Sequence, residues 1–186
     1  MHNIGEKCME KKLEKKVLGV IEVRNIKTIN LYNRTYEKAK DFKQKLEDFV
    51  VTSDIQVFEN VTEAVKNADI INCATRSEES VFDHKDLQAS VHINGVGSYL
   101  PEMREIDTIS IKHADTIVLD DLHGAQHEAG EFIQAEQDGH FDFNQATLLK
   151  DLTDKNETEG VTIFKSVGAA YYDLAVTAGA YELLNA

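Results

Sequence analysis

Six short apolar runs, separated by segments of helical spacing, constrain this chain more than any other feature. The runs are Lys27–Tyr32, Ile55–Phe58, Ile70–Cys73, Val91–Val96, Thr116–Leu119 and Val161–Phe164. They are rich in Val, Ile and Thr, which pack well on a pleated surface. Between them the period changes. Met9, Leu13, Val17, Val20 and Ile21 recur at helical spacing over residues 6–24. Behind Thr35, a residue suited to capping, Ala39, Phe42, Leu46 and Phe49 share a second helical face. Val61, Ala64, Val65 and Ala68 mark a short third helix, and further helices are expected over 121–136 and 168–184. Strands apolar on both faces and alternating with helices predict a parallel sheet covered on both sides. The expected class is α/β, a doubly wound and mostly parallel sheet in a single domain over residues 1–186.

The chain has 186 residues, of which 42% are hydrophobic and 28% charged. That balance excludes a disordered chain, since there is enough apolar surface to offset the entropy of ordering. No apolar run reaches the ~18–20 residues of a spanning helix. The N-terminal ten residues contain no stretch resembling a signal peptide, so a cytoplasmic location is expected. With 20 basic and 33 acidic residues the net charge is -13, which would repel a phosphate backbone and argues against nucleic acid as a partner. It does not argue against a phosphorylated cofactor held by a few local donors.

Open sheets of this class bind ligands beyond the carboxyl ends of their strands. Those ends carry Asn33-Arg34-Thr35, Cys73-Ala74-Thr75, Gly95-Val96-Gly97-Ser98, Asp120-Asp121 and Lys165-Ser166-Val167-Gly168. Small residues and hydroxyls there suit close approach of a nucleotide. Arg34 stands where dinucleotide folds place the residue that reads the adenosine ribose. An acidic group there would accept from a free 2′-hydroxyl, whereas a guanidinium suits a 2′-phosphate. The plainer alternative for Arg34-Thr35 is a helix cap beside a solvated arginine, and for Gly95-x-Gly97 an ordinary turn.

Other chemistry-bearing residues read as structural. Cys73 has no paired histidine and reads as a small apolar filler. The two cysteines, Cys8 and Cys73, suggest neither a disulfide scaffold nor a zinc site. His123 and His127 are spaced as metal ligands on a helix could be. Gly124 takes the place of the glutamate that a zinc-protease motif requires, and the pair reads as a solvated helix face.

From Leu18 to Leu184 the sequence resembles the ornithine cyclodeaminase/μ-crystallin family. The matching stretches are 31–35, 71–75, Ile93-Asn94-Gly95-Val96-Gly97-Ser98-Tyr99 and Pro101-Glu102-Met103-Arg104-Glu105. Val118-Leu119-Asp120-Asp121, Glu128-Ala129-Gly130-Glu131 and Phe164-Lys165-Ser166-Val167-Gly168 follow in the same order. The resemblance implies a Rossmann-like fold and a nicotinamide cofactor. It places Asn33, Arg34 and Thr35 at the adenosine 2′-phosphate and Ala74 and Thr75 along the cofactor. Val96 and the Ser166-Val167-Gly168 turn would border the nicotinamide. NADP(H) is favoured over NAD(H), a small imino- or amino-acid substrate is implied, and family members are usually homodimers.

Two departures shape the expected function. Cyclising members carry an aspartate where Tyr99 stands here, so the chain resembles the ketimine-reductase branch, which reduces cyclic imino acids. Family members also begin with a substrate-binding and dimerisation domain, followed by a first strand and a glycine loop. The loop positions fall near Cys8 and Glu10, where no glycine pair exists. The chain is therefore expected to represent the cofactor half without its first strand and loop, and catalytic residues cannot be assigned. Ornithine cyclisation and a non-catalytic nucleotide-binding remnant are the alternative functions.

Overall fold

A computed structural model describes residues 4–49, 53–153 and 159–184, with residues 4–12 described by their backbone alone. Helix α1 (Ile4–Val23) leads to strand β1 (Thr28–Tyr32), helix α2 (Tyr36–Glu47), strand β2 (Asp54–Phe58) and helix α3 (Val61–Val65). Strands β3 (Ile70–Cys73) and β4 (Val91–Gly95) follow, then helix α4 (Thr108–Lys112) and strand β5 (Thr116–Leu119). Helices α5 (Leu122–Glu128) and α6 (Gly130–Gln137), the short strands β6 (Thr147–Leu148) and β7 (Val161–Lys165), and helix α7 (Ala170–Leu184) complete the order.

Among the described residues every strand pairing is parallel. The strands form a five-stranded sheet in the order β3-β4-β7-β5-β6 and a separate two-stranded sheet, β1-β2. The α/β architecture expected from the alternating runs is present, but the sheet is divided between β1 and β3.

Strand alternation sets the larger core. Ile71, Ile93, Ile117, Leu119 and Ile163 point to one face of the five-stranded sheet, where they pack with Ala125, Phe132 and Phe141. Ile93, Ile163, Leu119 and Phe132 are almost completely buried, and each such side chain contributes about 1.5–3 kcal/mol by leaving water. Phe141 stacks edge-on against both Phe132 and Phe143. The smaller core joins Val17 of α1 and Leu31 of β1 to Ala39, Phe42 and Leu46 of α2. Lys16 of α1 lies 5.5 Å from the centre of the Phe164 ring, so α1 also covers part of the larger sheet.

Some local expectations need correction. Phe49 lies beyond the end of α2 and is exposed, because the chain turns at Leu46, whose carbonyl accepts from the Phe49 amide. Thr35 occupies the cap position of α2 without bonding through its side chain; the Asn33 carboxamide instead accepts from the Thr35 amide at 2.8 Å. The helix expected over 121–136 is two helices that break at Ala129. There Gly130 packs so closely on the carbonyls of Pro101 and Met103 that a Cβ would overlap them. Helix α3 ends at Val65, three residues before Ala68. The side chain of Met9 lies outside the described residues.

Candidate functional site

Parallel strands point their carboxyl ends the same way, so the chain exits one edge of the larger sheet in a row. Backbone bonds tie each exit to the next. The Val96 amide donates to Cys73, the Ser166 amide to Gly95, and the Asp120 amide to Lys165. Ala74-Thr75, Val96-Gly97, Ser166-Val167-Gly168 and Asp120 therefore form a continuous ledge across β3, β4, β7 and β5. This brings together six of the nine residues singled out above. The other three, Asn33, Arg34 and Thr35, end β1 across the division and line the rim of the cleft there, as do Ala74 and Thr75. All three are exposed, and the Arg34 guanidinium forms no ion pair with the described residues.

Three buried carboxylates shape the ledge from beneath. One oxygen of Glu105 accepts from the Thr75 amide and, at 3.0 Å, from the Thr75 hydroxyl; the other accepts from the amides of Gly97 at 2.7 Å and Ser98 at 3.2 Å. Glu105 thus clamps the exits of β3 and β4 together. A Cβ on Gly97 would overlap Glu105 and the Thr75 backbone, so glycine is required there by protein packing. Burial pushes the Glu105 carboxyl above its ordinary range, and the amide donors and Lys165 act against that shift.

Asp120 performs the same task one strand further on. Its carboxylate accepts from the Ser166 hydroxyl at 2.6 Å and from the amides of Val167 at 3.3 Å and Gly168 at 3.1 Å. Gly168 adopts a positive φ of 87°, which a side chain would resist, and this lets the chain turn from β7 toward α7. Glu131, fully buried, accepts from the Ser98 hydroxyl and pairs with the Lys165 ammonium at 2.9 Å. Lys165 also donates to the Ser98 carbonyl at 2.8 Å and to its hydroxyl.

No local pattern in the sequence marks Glu105, Glu131, Lys165 or Ser98 as site residues. Lys165 carries a signal of burial only: it continues the inward-facing parity of Val161 and Ile163. Cys73 is buried, and burial raises its thiol well above the ordinary value, so it stays protonated and behaves as the filler the sequence suggested. His123 and His127 lie exposed on α5, with the His127 ring bonded to the His123 carbonyl at 2.8 Å. Tyr99 is half-buried, with the Arg76 guanidinium 6.0 Å from its ring centre. Cys8 and Glu10 fall inside α1, and their side chains lie outside the described residues.

The parallel sheet with its small-residue ledge defines the class: a Rossmann-like nucleotide-binding fold. The sequence matches the ornithine cyclodeaminase/mu-crystallin family over residues 11–186, and the chain belongs to that family. It is 34% identical over 170 residues to a delta(1)-pyrroline-2-carboxylate reductase of Bacillus cereus, covering 88% of this chain and 52% of that protein. It is 28% identical over 158 residues to the ketimine reductase mu-crystallin of Rattus norvegicus, covering 85% of this chain and 48% of that protein. Its structure resembles that of Thermococcus litoralis delta(1)-pyrroline-2-carboxylate reductase in complex with NADH and L-proline. The TM-score is 0.83 at 27% identity, over 91% of this chain and 54% of that one. The chain spans about half the length of the relatives it matches.

Proposed function

We propose that this chain is the nicotinamide-dinucleotide part of an NAD(P)H-dependent reductase of cyclic imino acids. The observation that carries the reading is the ledge of strand exits, fixed from beneath by Glu105 and Asp120. Small residues at Ala74 and Gly168 leave its surface open to a flat ring and a sugar, and its buried acids are turned inward, away from an anionic ligand. That donor set fits the two ends of a dinucleotide. Val96 and the Ser166-Val167-Gly168 turn would border the nicotinamide, Ala74 and Thr75 the middle, and Asn33, Arg34 and Thr35 the adenosine end. Relatives named as pyrroline-2-carboxylate and ketimine reductases, and a similar structure with NADH and L-proline, support this chemistry.

A reduced nicotinamide supplies a hydride to the carbon of a C=N bond. The chain's own task is to orient the ring and exclude water: Val96, Val167 and Gly168 offer no competing proton, and the Ser166 hydroxyl proton is held by Asp120. Clamping by Glu105 and Asp120 means that the ledge needs no reorganisation when the ligand arrives. Tyr99 in place of an acid favours reduction over ornithine cyclisation, which requires a carboxylate at that point of the family pattern.

Arg34 favours NADP(H) over NAD(H), because its exposed guanidinium is available to a 2′-phosphate. Calorimetric titration of both nucleotides against the chain and its Arg34→Ala variant tests this. The substitution should weaken NADPH by about 1.5–3 kcal/mol, the worth of charge-assisted bonds, and leave NADH unchanged. Equal affinities that the substitution does not alter would overturn the preference.

A further inference from the structure

At the exits of β3 and β4 the donors that a bound anion could use point into the protein. The Thr75 amide and hydroxyl and the Gly97 and Ser98 amides donate to Glu105. The Ser98 hydroxyl donates to Glu131 and the Val96 amide to the Cys73 carbonyl. An anion crossing these exits therefore finds those groups spent and two buried acids beneath them. The net charge of -13 supplies no general attraction either. A cationic side chain has to meet it from above. Among the described residues Arg34, Lys38 and Arg76 are the basic groups along the cleft beside the ledge, and only Arg76 belongs to the β3 side.

Arg76 is placed for that task. It follows Thr75 directly, and Tyr99 follows Ser98 directly, so Glu105, by holding both amides, fixes the backbone roots of both side chains. Across that clamp the Arg76 guanidinium lies 6.0 Å from the centre of the half-buried Tyr99 ring. A guanidinium carried over a ring is held through its face, while its N–H donors lie in its plane, so this contact leaves the donors unspent. Arg76 is exposed and forms no ion pair with the described residues, the cleft-lining Glu79 included.

We propose that Arg76, carried on the Tyr99 ring, binds the diphosphate of the nicotinamide dinucleotide, with Tyr99 as its positioning residue. The placement follows the order of the strand exits. With the adenosine end at Asn33-Arg34-Thr35 and the nicotinamide at Val96 and Ser166-Val167-Gly168, the two phosphates between them pass the exit of β3, where Arg76 stands. Their non-bridging oxygens offer paired acceptors, which a planar fork meets two at a time. The two arginines thus divide the anionic groups of NADPH: Arg34 takes the 2′-phosphate and Arg76 the diphosphate. This assignment rests on the cofactor reading above, and its test separates the two.

ADP-ribose, 2′-AMP and NADPH are titrated calorimetrically against the 186-residue chain and its Arg76→Ala variant. ADP-ribose carries the diphosphate without the 2′-phosphate, and 2′-AMP the 2′-phosphate without the diphosphate. Arg76→Ala should weaken ADP-ribose and NADPH by the same factor, about tenfold or more, and leave 2′-AMP unchanged. Arg34→Ala should do the reverse for the two fragments. Tyr99→Leu should weaken ADP-ribose about two- to fivefold, while Tyr99→Phe, which keeps the ring, should bind it as the unmodified chain does. NADPH binding that Arg76→Ala leaves intact would overturn the role of Arg76 and leave the cofactor reading standing. An equal loss of 2′-AMP would overturn it too, since that would mark a general field rather than a diphosphate contact. Equal losses in Tyr99→Leu and Tyr99→Phe would overturn the positioning role of the ring. Failure of the unmodified chain to bind any of the three ligands would overturn the cofactor reading itself, and this assignment with it.

Discussion

The Lys165 ammonium lies 2.9 Å from the Glu131 carboxylate, and both side chains are completely shielded from solvent. Lys165 ends β7 and Glu131 begins α6, so the pair joins the sheet to the helix layer at the level of the ledge. Ser98 completes the network by donating to Glu131 and accepting from Lys165. Removing one partner leaves the other buried and uncompensated. Lys165→Met should therefore cost about 3–5 kcal/mol in urea unfolding, whereas the Lys165→Met/Glu131→Leu double variant should cost less than the two single changes together. Additive losses would show that the two charges do not act as a pair.

Glycines at two positions should respond in opposite directions. A Cβ at Gly97 would overlap Glu105 and the Thr75 backbone, so Gly97→Ala must push the β3 and β4 exits apart, at about 1–3 kcal/mol. Gly19 lies exposed within α1 with nothing near its Cβ position. Gly19→Ala should add about 0.5–1 kcal/mol through helix propensity alone. Thermal unfolding of the two variants checks both signs.

Glu105 accepts three backbone amides and a hydroxyl, which no neutral side chain of its shape can do. Glu105→Gln turns an N–H₂ toward amide donors on one branch and leaves at least one of them buried without an acceptor. The expected cost is about 1–3 kcal/mol in denaturant unfolding. Because Thr75 and Gly97 loosen with it, nucleotide titration should show weaker binding with no contact residue changed. Unaltered stability would show that the clamp is dispensable.

The legible parts of this fold were those written in local periodicity. The strand runs at residues 70–73, 91–95, 116–119 and 161–165 and the helices at 4–23 and 36–47 announce themselves through spacing, and their parallel arrangement follows from the alternation. The strand ends follow in turn, which puts Ala74, Val96 and Ser166 at strand exits; the roles given to them come from the family resemblance and not from periodicity. Two of the shortest elements escaped, α4 with five residues and β6 with two, although α3, also of five, is legible through Val61, Ala64 and Val65. Glu105 escaped as well. It acts on Thr75, 30 residues earlier, and nothing within a local window shows that contact. The break at Ala129 depends likewise on Gly130 meeting the carbonyls of Pro101 and Met103.

His92 provides a pH test of the sheet's second face. Its Nδ1 lies 2.7 Å from the Thr162 hydroxyl and its Nε2 3.2 Å from the Asn94 carboxamide oxygen, while the Asn94 amide group donates to Asn72 at 3.0 Å. That oxygen can only accept, so Nε2 carries the proton and Nδ1 accepts from Thr162, which is the neutral ring. Burial lowers the His92 pKa from its ordinary 6.5, with Arg24 adding to the shift and the Asn94 bond opposing it. The sign follows from linkage. Below pH 6.5 the unfolded chain takes up a proton at His92 before the folded one does, so folding stability falls as the pH drops toward and through the folded-state value. Above pH 6.5 the contribution is present in full. Urea unfolding at pH 7.5 and pH 5.0 should show a larger loss on acidification for the unmodified chain than for His92→Gln, which keeps polar atoms but does not titrate. The chain has seven histidines, so the difference between the two proteins, rather than the loss itself, isolates His92. Equal losses in both would show that the ring is neutral for no energetic reason connected with the fold.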